Sequence, residues 1–152
     1  MSLDLAIDDG IKLPPALRTR LRREVARMVK AAALHEGKPD LEVALRLCSD
    51  AAIHELNRDY RKKNKPTDVL AFAQREAASA DATLLGDIVI SVDTARRQAK
   101  QSLHAELLHL ASHGLCHLLG YDHRDDDEER EMNARAAALR KEAVRTGKPR
   151  AA

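Results

Sequence analysis

The stretch SLHAELLHLASHGLCHLLGYDH, residues 102–123, decides how the rest of the chain is arranged. Between Ser102 and Leu119 its apolar residues recur around most of the circumference of an α-helix. A helix that is apolar on most sides must be covered on most sides. We therefore expect this helix to be the central element of the fold and not a surface helix.

The rest of the chain supplies four strands and further helices. Alternating or continuous short apolar runs predict strands at residues 3–7, 41–48, 69–73 and 84–91. Helical periodicity or capping patterns predict helices at residues 17–34, after Ser49, after Ser91, and from Asp125 to the stop signals at Gly147 and Pro149. Residues 75–83 have the composition of a surface connection.

Length and composition indicate one folded domain. The chain has 152 residues, 44% hydrophobic and 33% charged, which suits a single domain spanning residues 1–152. Residues 147–152 are expected to form a disordered tail. The net charge is only +2, so attraction to nucleic acid must come from an uneven charge distribution. Aromatic residues make up 2% of the chain, namely Tyr60, Phe72 and Tyr121, which argues against aromatic stacking platforms for bases.

The sequence favours a cytoplasmic protein. The amino terminus lacks the features of a signal peptide, and the longest stretch without charged side chains, residues 107–121, is too short to cross a bilayer. Cys48 and Cys116 form no CxxC pair, so neither a disulfide framework nor a thiolate zinc site is expected.

Histidines are concentrated in the deciding stretch. His109, His113 and His117 are spaced four apart and share one face of the predicted helix. His109 and His117 are separated by about 12 Å of helical rise, so the three cannot bind one ion together. Gly120 can take the left-handed conformation that ends a helix, and the chain can then return to present His123.

This spacing predicts a metal site formed by His113, His117 and His123. It matches the metzincin motif HExxHxxGxxH, except that Gly114 replaces the glutamate base. Three imidazoles leave a fourth position for water, which is typical of a catalytic zinc site. His109 stays outside the ligand set and is predicted to line the cleft, and His104 is expected to be solvent exposed.

Two segments together resemble the YbeY family of bacterial endoribonucleases, also called rRNA maturation factors. They are HLASHGLCHLLGYDH at residues 109–123 and LNRDYRKKNKPTDVLAFA at residues 56–73, with the strand LLGDIVIS between them. The resemblance implies an α+β fold with a four-stranded mixed sheet, about five helices and a zinc site at the end of the central helix. Order and spacing agree over residues 41 to about 135.

The resemblance also implies a function and a set of site residues. It implies a single-strand-specific, zinc-dependent endoribonuclease that acts in 3′ end maturation of 16S ribosomal RNA and in ribosome quality control. One zinc per chain would be held by His113, His117 and His123, and Arg61 would lie in the active cleft. The implied catalytic residues are Arg61 and His113. The implied partners are ribosomal RNA, the small ribosomal subunit and GTPases that assist its assembly, with no DNA or membrane.

The basic segment at residues 61–65 has side chains that are compatible with an endoribonuclease. The planar guanidinium of Arg61 suits a phosphate better than an ammonium group does. Lys62, Lys63 and Lys65 are predicted to hold the flanking backbone, and His109 is a further predicted substrate-binding residue. From this segment alone, a solvated surface loop explains the pattern equally well.

Two other functions stay open from the sequence. The histidine spacing is shared with metalloproteases, so a peptidase or amide hydrolase is possible with a base such as Asp87 or Asp122, although Gly114 argues against it. A non-catalytic ribosome-assembly module could use zinc only to pin the last two helices. The absence of a fourth protein ligand from the motif argues against that role, because closed structural sites normally have four.

Overall fold

The computed structural model describes residues 3–74, 83–145, 147–148 and 150–151. The elements are β1 (Leu3–Ile7), α1 (Pro15–Glu36), β2 (Glu42–Cys48), α2 (Asp50–Arg61), β3 (Val69–Ala73), β4 (Leu84–Ser91), α3 (Val92–Gln98), α4 (Leu103–Leu118) and α5 (Asp126–Val144). The predicted connection at 75–83 lies almost entirely outside the described residues, and the predicted tail at 147–152 lies partly outside them.

The four strands form one mixed sheet in the order β1-β2-β4-β3. The β1–β2 and β2–β4 pairs are parallel, and β3 runs antiparallel to β4. Helical crossovers are needed between parallel strands, and α1 supplies the one between β1 and β2. The predicted α+β fold with a four-stranded mixed sheet and five helices is therefore confirmed.

One face of the sheet forms the main core. Successive strand side chains point to opposite faces, so Val43, Leu45 and Leu47 of β2 pack inward together with Ile88 and Ile90 of β4. Helices α1 and α4 cover this face, and α5 packs against both of these helices. The opposite face has a smaller cluster under α2, formed by Cys48, Ile53, Leu70 and Val89.

Helix α4 is the central helix, as predicted. Ser102 caps its first turn by accepting the Ala105 N–H at 3.1 Å. A Cβ atom at Gly114 would lie 2.7 Å from Cγ2 of Ile88, so the glycine allows the helix to approach β4 closely. Within the described part of the chain, no helix is both long enough and apolar enough to span a bilayer.

The expectation that His104 is solvent exposed is wrong. Its side chain is buried where α1 crosses the first turn of α4, and its Nε2 lies 2.9 Å from Oε1 of the buried Glu24. Burial alone would raise the pKa of Glu24, but hydrogen bonds from His104 and Arg20 bring that pKa below its usual value. The sequence shows His104 only as one of many histidines, whereas its partner lies 80 residues earlier in the chain.

Candidate active site

A cleft of about 650 Å³ opens between the end of α4 and the loop that joins α2 to β3. Two imidazoles line one side, and we call His117 and His123 the histidine wall. Three cations line the other side, and we call Arg61, Lys63 and Lys65 the basic wall. Other polar side chains of the lining are Asn57, Thr67, Tyr121 and Asp122.

The histidine wall depends on how α4 ends. Gly120 has φ +98, so the left-handed residue predicted from the sequence is confirmed. Its N–H donates to the His117 carbonyl at 3.1 Å, and the Tyr121 N–H donates to the Cys116 carbonyl at 3.0 Å. This Schellman arrangement reverses the chain at the helix end. As a result, the ring centroids of His117 and His123 lie 5.3 Å apart.

His113 lies one turn earlier on the same face of α4 and is half-buried. Its Nδ1 is 3.0 Å from the carbonyl oxygen of His109, and its Nε2 is 3.2 Å from Oδ1 of Asn133. A ring N–H that donates to a carbonyl fixes the tautomer and leaves the other nitrogen free to bind a metal, as in most histidine ligands. Donation from Nδ1 to this carbonyl would make Nε2 of His113 the ligand atom, but Nε2 must first lose its contact with the Asn133 amide oxygen.

The structure brings together two of the three predicted metal ligands. Over the described ranges, no three His, Cys, Asp or Glu side chains converge closely enough to hold an ion. His117 and His123 are in ring contact, whereas Nε2 of His113 contacts Asn133. A three-imidazole metal centre at this position is therefore still a prediction.

The chemistry of these donors fits a zinc ion. Burial and the neighbouring His123 lower the pKa of His117, which favours the neutral imidazole that a metal requires. Burial raises the pKa of the Cys116 thiol to about 11, so this neighbour does not offer a thiolate. The predicted donor set of three imidazoles would suit an open catalytic site with a position for water.

Arg61 is the last residue of α2 and is held against β3. One of its Nη atoms donates to the Ala71 carbonyl at 2.6 Å, and its Cζ lies 5.4 Å from the ring centroid of Phe72. A backbone acceptor and an aromatic face together restrict the orientation of the guanidinium. Arg61 therefore contributes a positioned cation to the basic wall, with donors left over for an anion.

The loop that carries the lysines is pinned by Asn57, a residue that the sequence analysis did not select. Asn57 is buried, and its side-chain Nδ2 donates to the main-chain carbonyl of Lys65 at 2.9 Å. The main-chain carbonyl of Asn57 accepts the main-chain N–H of Lys63 at 3.2 Å. Asn57 lies four residues after Ile53 on the buried stripe of α2. A polar residue within an apolar stripe is a signal that can be read from the sequence.

Two predicted substrate-binding residues are not part of this lining. Lys62 ends α2 in the left-handed conformation with φ 61 and is exposed. His109 lines a separate depression with Glu106 and Arg140. Burial, followed by the charges of His113 and Arg140, lowers the pKa of His109. Contact of either residue with substrate stays a prediction.

The positions of two carboxylates bear on the peptidase alternative. Asp122 lines the cleft, and its Oδ1 accepts a hydrogen bond from the main-chain N–H of His123 at 2.8 Å. Asp87 lines a different groove, on the face of the sheet opposite the main core, together with Asp4. Gly114 faces Ile88 and the sheet, so its position is a packing position and not part of the cleft.

Comparisons with known proteins agree with this architecture. The sequence profile of the family described as Endoribonuclease YbeY matches residues 12–143. The chain is 45% identical over 122 residues to Endoribonuclease YbeY of Desulfitobacterium hafniense, covering 74% of this chain and 78% of the relative. It is 44% identical over 142 residues to Endoribonuclease YbeY of a Synechococcus species, covering 89% of this chain and 84% of the relative.

A solved structure shows the same fold. The solution structure of TM1509 from Thermotoga maritima superimposes with a TM-score of 0.60 and 28% sequence identity, covering 93% of this chain and 88% of TM1509. The sequence relatives share one named class of enzyme, the endoribonucleases. The chain belongs to their family, the YbeY endoribonucleases, which confirms the resemblance carried by its two motifs.

Proposed function

We propose that this protein is a zinc-dependent endoribonuclease that cleaves single-stranded RNA. Its biological role would be the 3′ end maturation of 16S ribosomal RNA and ribosome quality control. The observation that carries the proposal is the pairing of the histidine wall with the basic wall across one cleft. Imidazoles can hold a metal, and guanidinium and ammonium groups can hold the phosphates of a polynucleotide.

Metal binding is assigned to His113 and the histidine wall, and phosphate binding is assigned to the basic wall. His113, His117 and His123 would hold one zinc ion per chain. When bound, zinc supplies either a hydroxide near neutral pH or Lewis-acid stabilisation of phosphate oxygens. His113 is assigned to catalysis as well as to metal binding, as the family resemblance implies, and its Nε2 would reach the ion only after its contact with Oδ1 of Asn133 breaks.

Arg61 is assigned to the charge that grows on the nonbridging phosphate oxygens. Its contact with Ala71 uses one donor, and its remaining N–H groups can form a two-pronged contact with phosphate. A positioned cation stabilises such charge without reorganising during the reaction. Lys63 and Lys65 would hold neighbouring phosphates of the strand, with Lys62 and His109 contributing at the edge of the bound RNA.

The proposed partners follow from the substrate. They are ribosomal RNA within or near the small ribosomal subunit, and GTPases that assist subunit assembly. We place the protein in the cytoplasm, where this RNA is processed, as a single metallo-endoribonuclease domain. Membranes and DNA are not proposed partners.

The peptidase alternative is weakened by the position of Gly114. In the metalloprotease motif this position carries the general base, whereas here it packs against Ile88, where a Cβ would lie only 2.7 Å from Cγ2. Asp87 is on the other face of the sheet. Among the described residues that line the cleft, Asp122 supplies a carboxylate that the alternative could use.

The test is cleavage of defined RNAs by the purified protein. Single-stranded and duplex RNA of the same sequence are incubated with zinc-loaded protein, with and without a chelator, and a denatured polypeptide serves as a peptidase substrate. We expect chelator-sensitive cutting of the single strand alone. Equal cutting of duplex, cutting that persists after metal removal, or cleavage of the polypeptide contradicts the proposal. Zinc binding and ribosome binding without any cleavage would favour the non-catalytic module.

A further inference from the structure

The three aromatic residues of the chain all lie at or next to the cleft. Tyr121 lines the cleft itself, and Tyr60 and Phe72 line a depression of about 580 Å³ that shares Arg61 with it. The buried core of the described residues is built from aliphatic side chains, methionine and cysteine, with none of these three rings among them. The few aromatic rings in this protein are therefore concentrated where RNA is proposed to bind.

The Tyr60 ring is restrained by a neighbouring ring and is still exposed to solvent. It is 67% exposed, and its ring centroid lies 5.6 Å from that of Phe72 at an interplanar angle of 68°. An edge-to-face contact of this kind restricts the ring while leaving an aromatic face open. Phe72 is in turn fixed by packing against the small cluster under α2 and by the guanidinium of Arg61.

Charge distinguishes the two sides of this aromatic pair. On one side lie Arg61 and the lysines of the basic wall. On the other side, a groove of about 520 Å³ that is also lined by Tyr60 and Phe72 contains the carboxylates of Asp4 and Asp87. Arg46 lines this groove too, but its guanidinium is paired with the Asp8 carboxylate. Phosphates are attracted to the first side and repelled from the second. An uncharged group is therefore favoured at Tyr60 when a polynucleotide follows the basic wall.

We propose that Tyr60 stacks on a nucleobase of single-stranded RNA next to the phosphate held by Arg61. Phe72 is a positioning residue that fixes the Tyr60 ring. The inference rests on the proposed function and adds a base-binding subsite to it. It also gives a physical source for strand selectivity, because a base can turn out onto an exposed ring only when it is not paired in a helix.

Tryptophan fluorescence tests this contact directly. The chain contains no tryptophan, so Tyr60→Trp creates a single reporter at the proposed subsite. Val144→Trp is the matched control, because Val144 is 58% exposed at the end of α5 and does not line the cleft. Zinc-loaded protein is mixed with a short single-stranded RNA, with the same oligonucleotide made abasic, and with its duplex, and emission is read before cleavage.

We expect the single strand to quench the tryptophan at position 60, with the abasic strand and the duplex having much smaller effects. The control at position 144 should not respond. Equal quenching by the intact and abasic strands would overturn the proposal, because only phosphate would then be sensed. Unchanged emission at position 60 while the RNA is fully bound would also overturn it.

A second measurement uses the affinity for RNA. Tyr60→Ala should weaken binding of the single strand by about 5- to 100-fold, the range expected for losing one stacked base. Tyr60→Phe should retain most of the affinity, and neither variant should change the dependence on salt concentration. Wild-type affinity in Tyr60→Ala would assign the exposed ring to another partner and overturn the subsite.

The two proposals fail separately. Quenching of the tryptophan at position 60 without any RNA cleavage would keep the stacking contact and remove the nuclease function. Normal cleavage with no loss of affinity in Tyr60→Ala would keep the nuclease function and remove the stacking contact.

Discussion

The two walls of the cleft are built in different ways. The histidine wall sits at the end of the central helix, where the half-buried His117 is placed by helix geometry and the exposed His123 by one left-handed glycine. The basic wall extends from the end of a peripheral helix into a loop, where exposed cations are placed by a buried asparagine and a β3 carbonyl. The first wall is close to the core, and the second is almost entirely solvated.

This difference indicates how each wall should respond when one of its side chains is substituted. Removing a side chain from the histidine wall would remove a proposed metal donor. Removing a cation from the basic wall leaves other cations to hold the strand, unless that cation also has a fixed orientation. Arg61 is the residue of the basic wall whose fixed orientation is shown by a backbone hydrogen bond. It should therefore behave differently from the lysines beside it.

The largest effect is expected at the proposed metal ligands. His113→Ala, His117→Ala and His123→Ala should each lose nearly all of about one zinc per chain and slow RNA cleavage by about 1,000-fold or more. Removing an outer partner of a ligand typically costs only about 10- to 100-fold in affinity. Metal analysis of the purified variants measures the zinc content, and single-turnover assays measure the cleavage.

His109→Ala is the matched control for the ligand set. The substitution leaves in place the main-chain carbonyl of His109 that contacts Nδ1 of His113, and it removes the ring contact between the two histidines, whose centroids lie 4.3 Å apart. The variant should therefore keep its zinc. Full zinc retention in His123→Ala, together with loss in His109→Ala, would show that the third ligand lies before His113 and not after Gly120.

The next effect is expected at Arg61. Arg61→Ala should cleave RNA about 100- to 1,000-fold more slowly, as when one preorganised donor to a developing negative charge is removed. Zinc content and melting temperature should be unchanged. Arg61→Lys should recover little of the rate, because an ammonium on a flexible stem cannot reproduce a two-pronged contact.

Arg58→Ala controls for the loss of one positive charge from the same helix. Arg58 is exposed and pairs with Asp59 at 3.1 Å. Its substitution should leave the cleavage rate close to that of the parent. If Arg61→Ala cleaves at the parent rate under saturating RNA, the catalytic assignment of Arg61 is wrong and the residue belongs to a solvated loop.

A smaller effect is expected from Gly120→Ala. This substitution tests how backbone strain alone affects zinc affinity, because it removes none of the proposed ligands. A Cβ at this position would meet no atom within 4 Å, so Gly120→Ala introduces strain at φ +98 without a steric clash. That strain costs about 1 kcal/mol or more, which corresponds to an about fivefold loss of zinc affinity if His123 must hold the same position. Competition with a chelating dye measures the affinity.

Gly10→Ala is the control for Gly120→Ala. Gly10 has φ +87, and a Cβ there would also meet no atom within 4 Å. The two variants should lose similar stability in thermal unfolding, but only Gly120→Ala should lose zinc affinity. Equal zinc affinity in both variants would mean that the return of the chain to His123 does not depend on the glycine.

Local patterns were sufficient to predict much of this structure from the sequence. Strands β1, β3 and β4 have the predicted bounds, and α4 differs from its prediction only by its two cap residues. These elements have clear periodicity and clear stop signals, and Gly120 was identified because a left-handed residue has few alternatives. The same local reasoning applied to the spacing of the histidines.

Contacts between distant segments were not predictable in this way. Two examples are the burial of His104 against Glu24 and the contact of His113 with Asn133. Both depend on how α1 and α5 pack against α4, which no periodicity within α4 reveals. The low aromatic content suggested that no stacking surface exists, but composition does not show where the few rings lie.

The smallest effect is expected at Lys63, and it tests whether the lysines of the basic wall act only through charge. Lys63→Ala should weaken RNA binding by a few-fold and lower the slope of log affinity against log salt by about 1, as for one lost phosphate contact. Lys141→Ala is the control, because Lys141 is an exposed cation on α5 that does not line the cleft. A loss in Lys63→Ala that is equally large at low and high salt would contradict a purely electrostatic role. Because Lys63 follows the αL residue that ends α2, such a result would instead indicate that its side chain positions the loop, and the two walls would then be more alike in construction than the structure suggests.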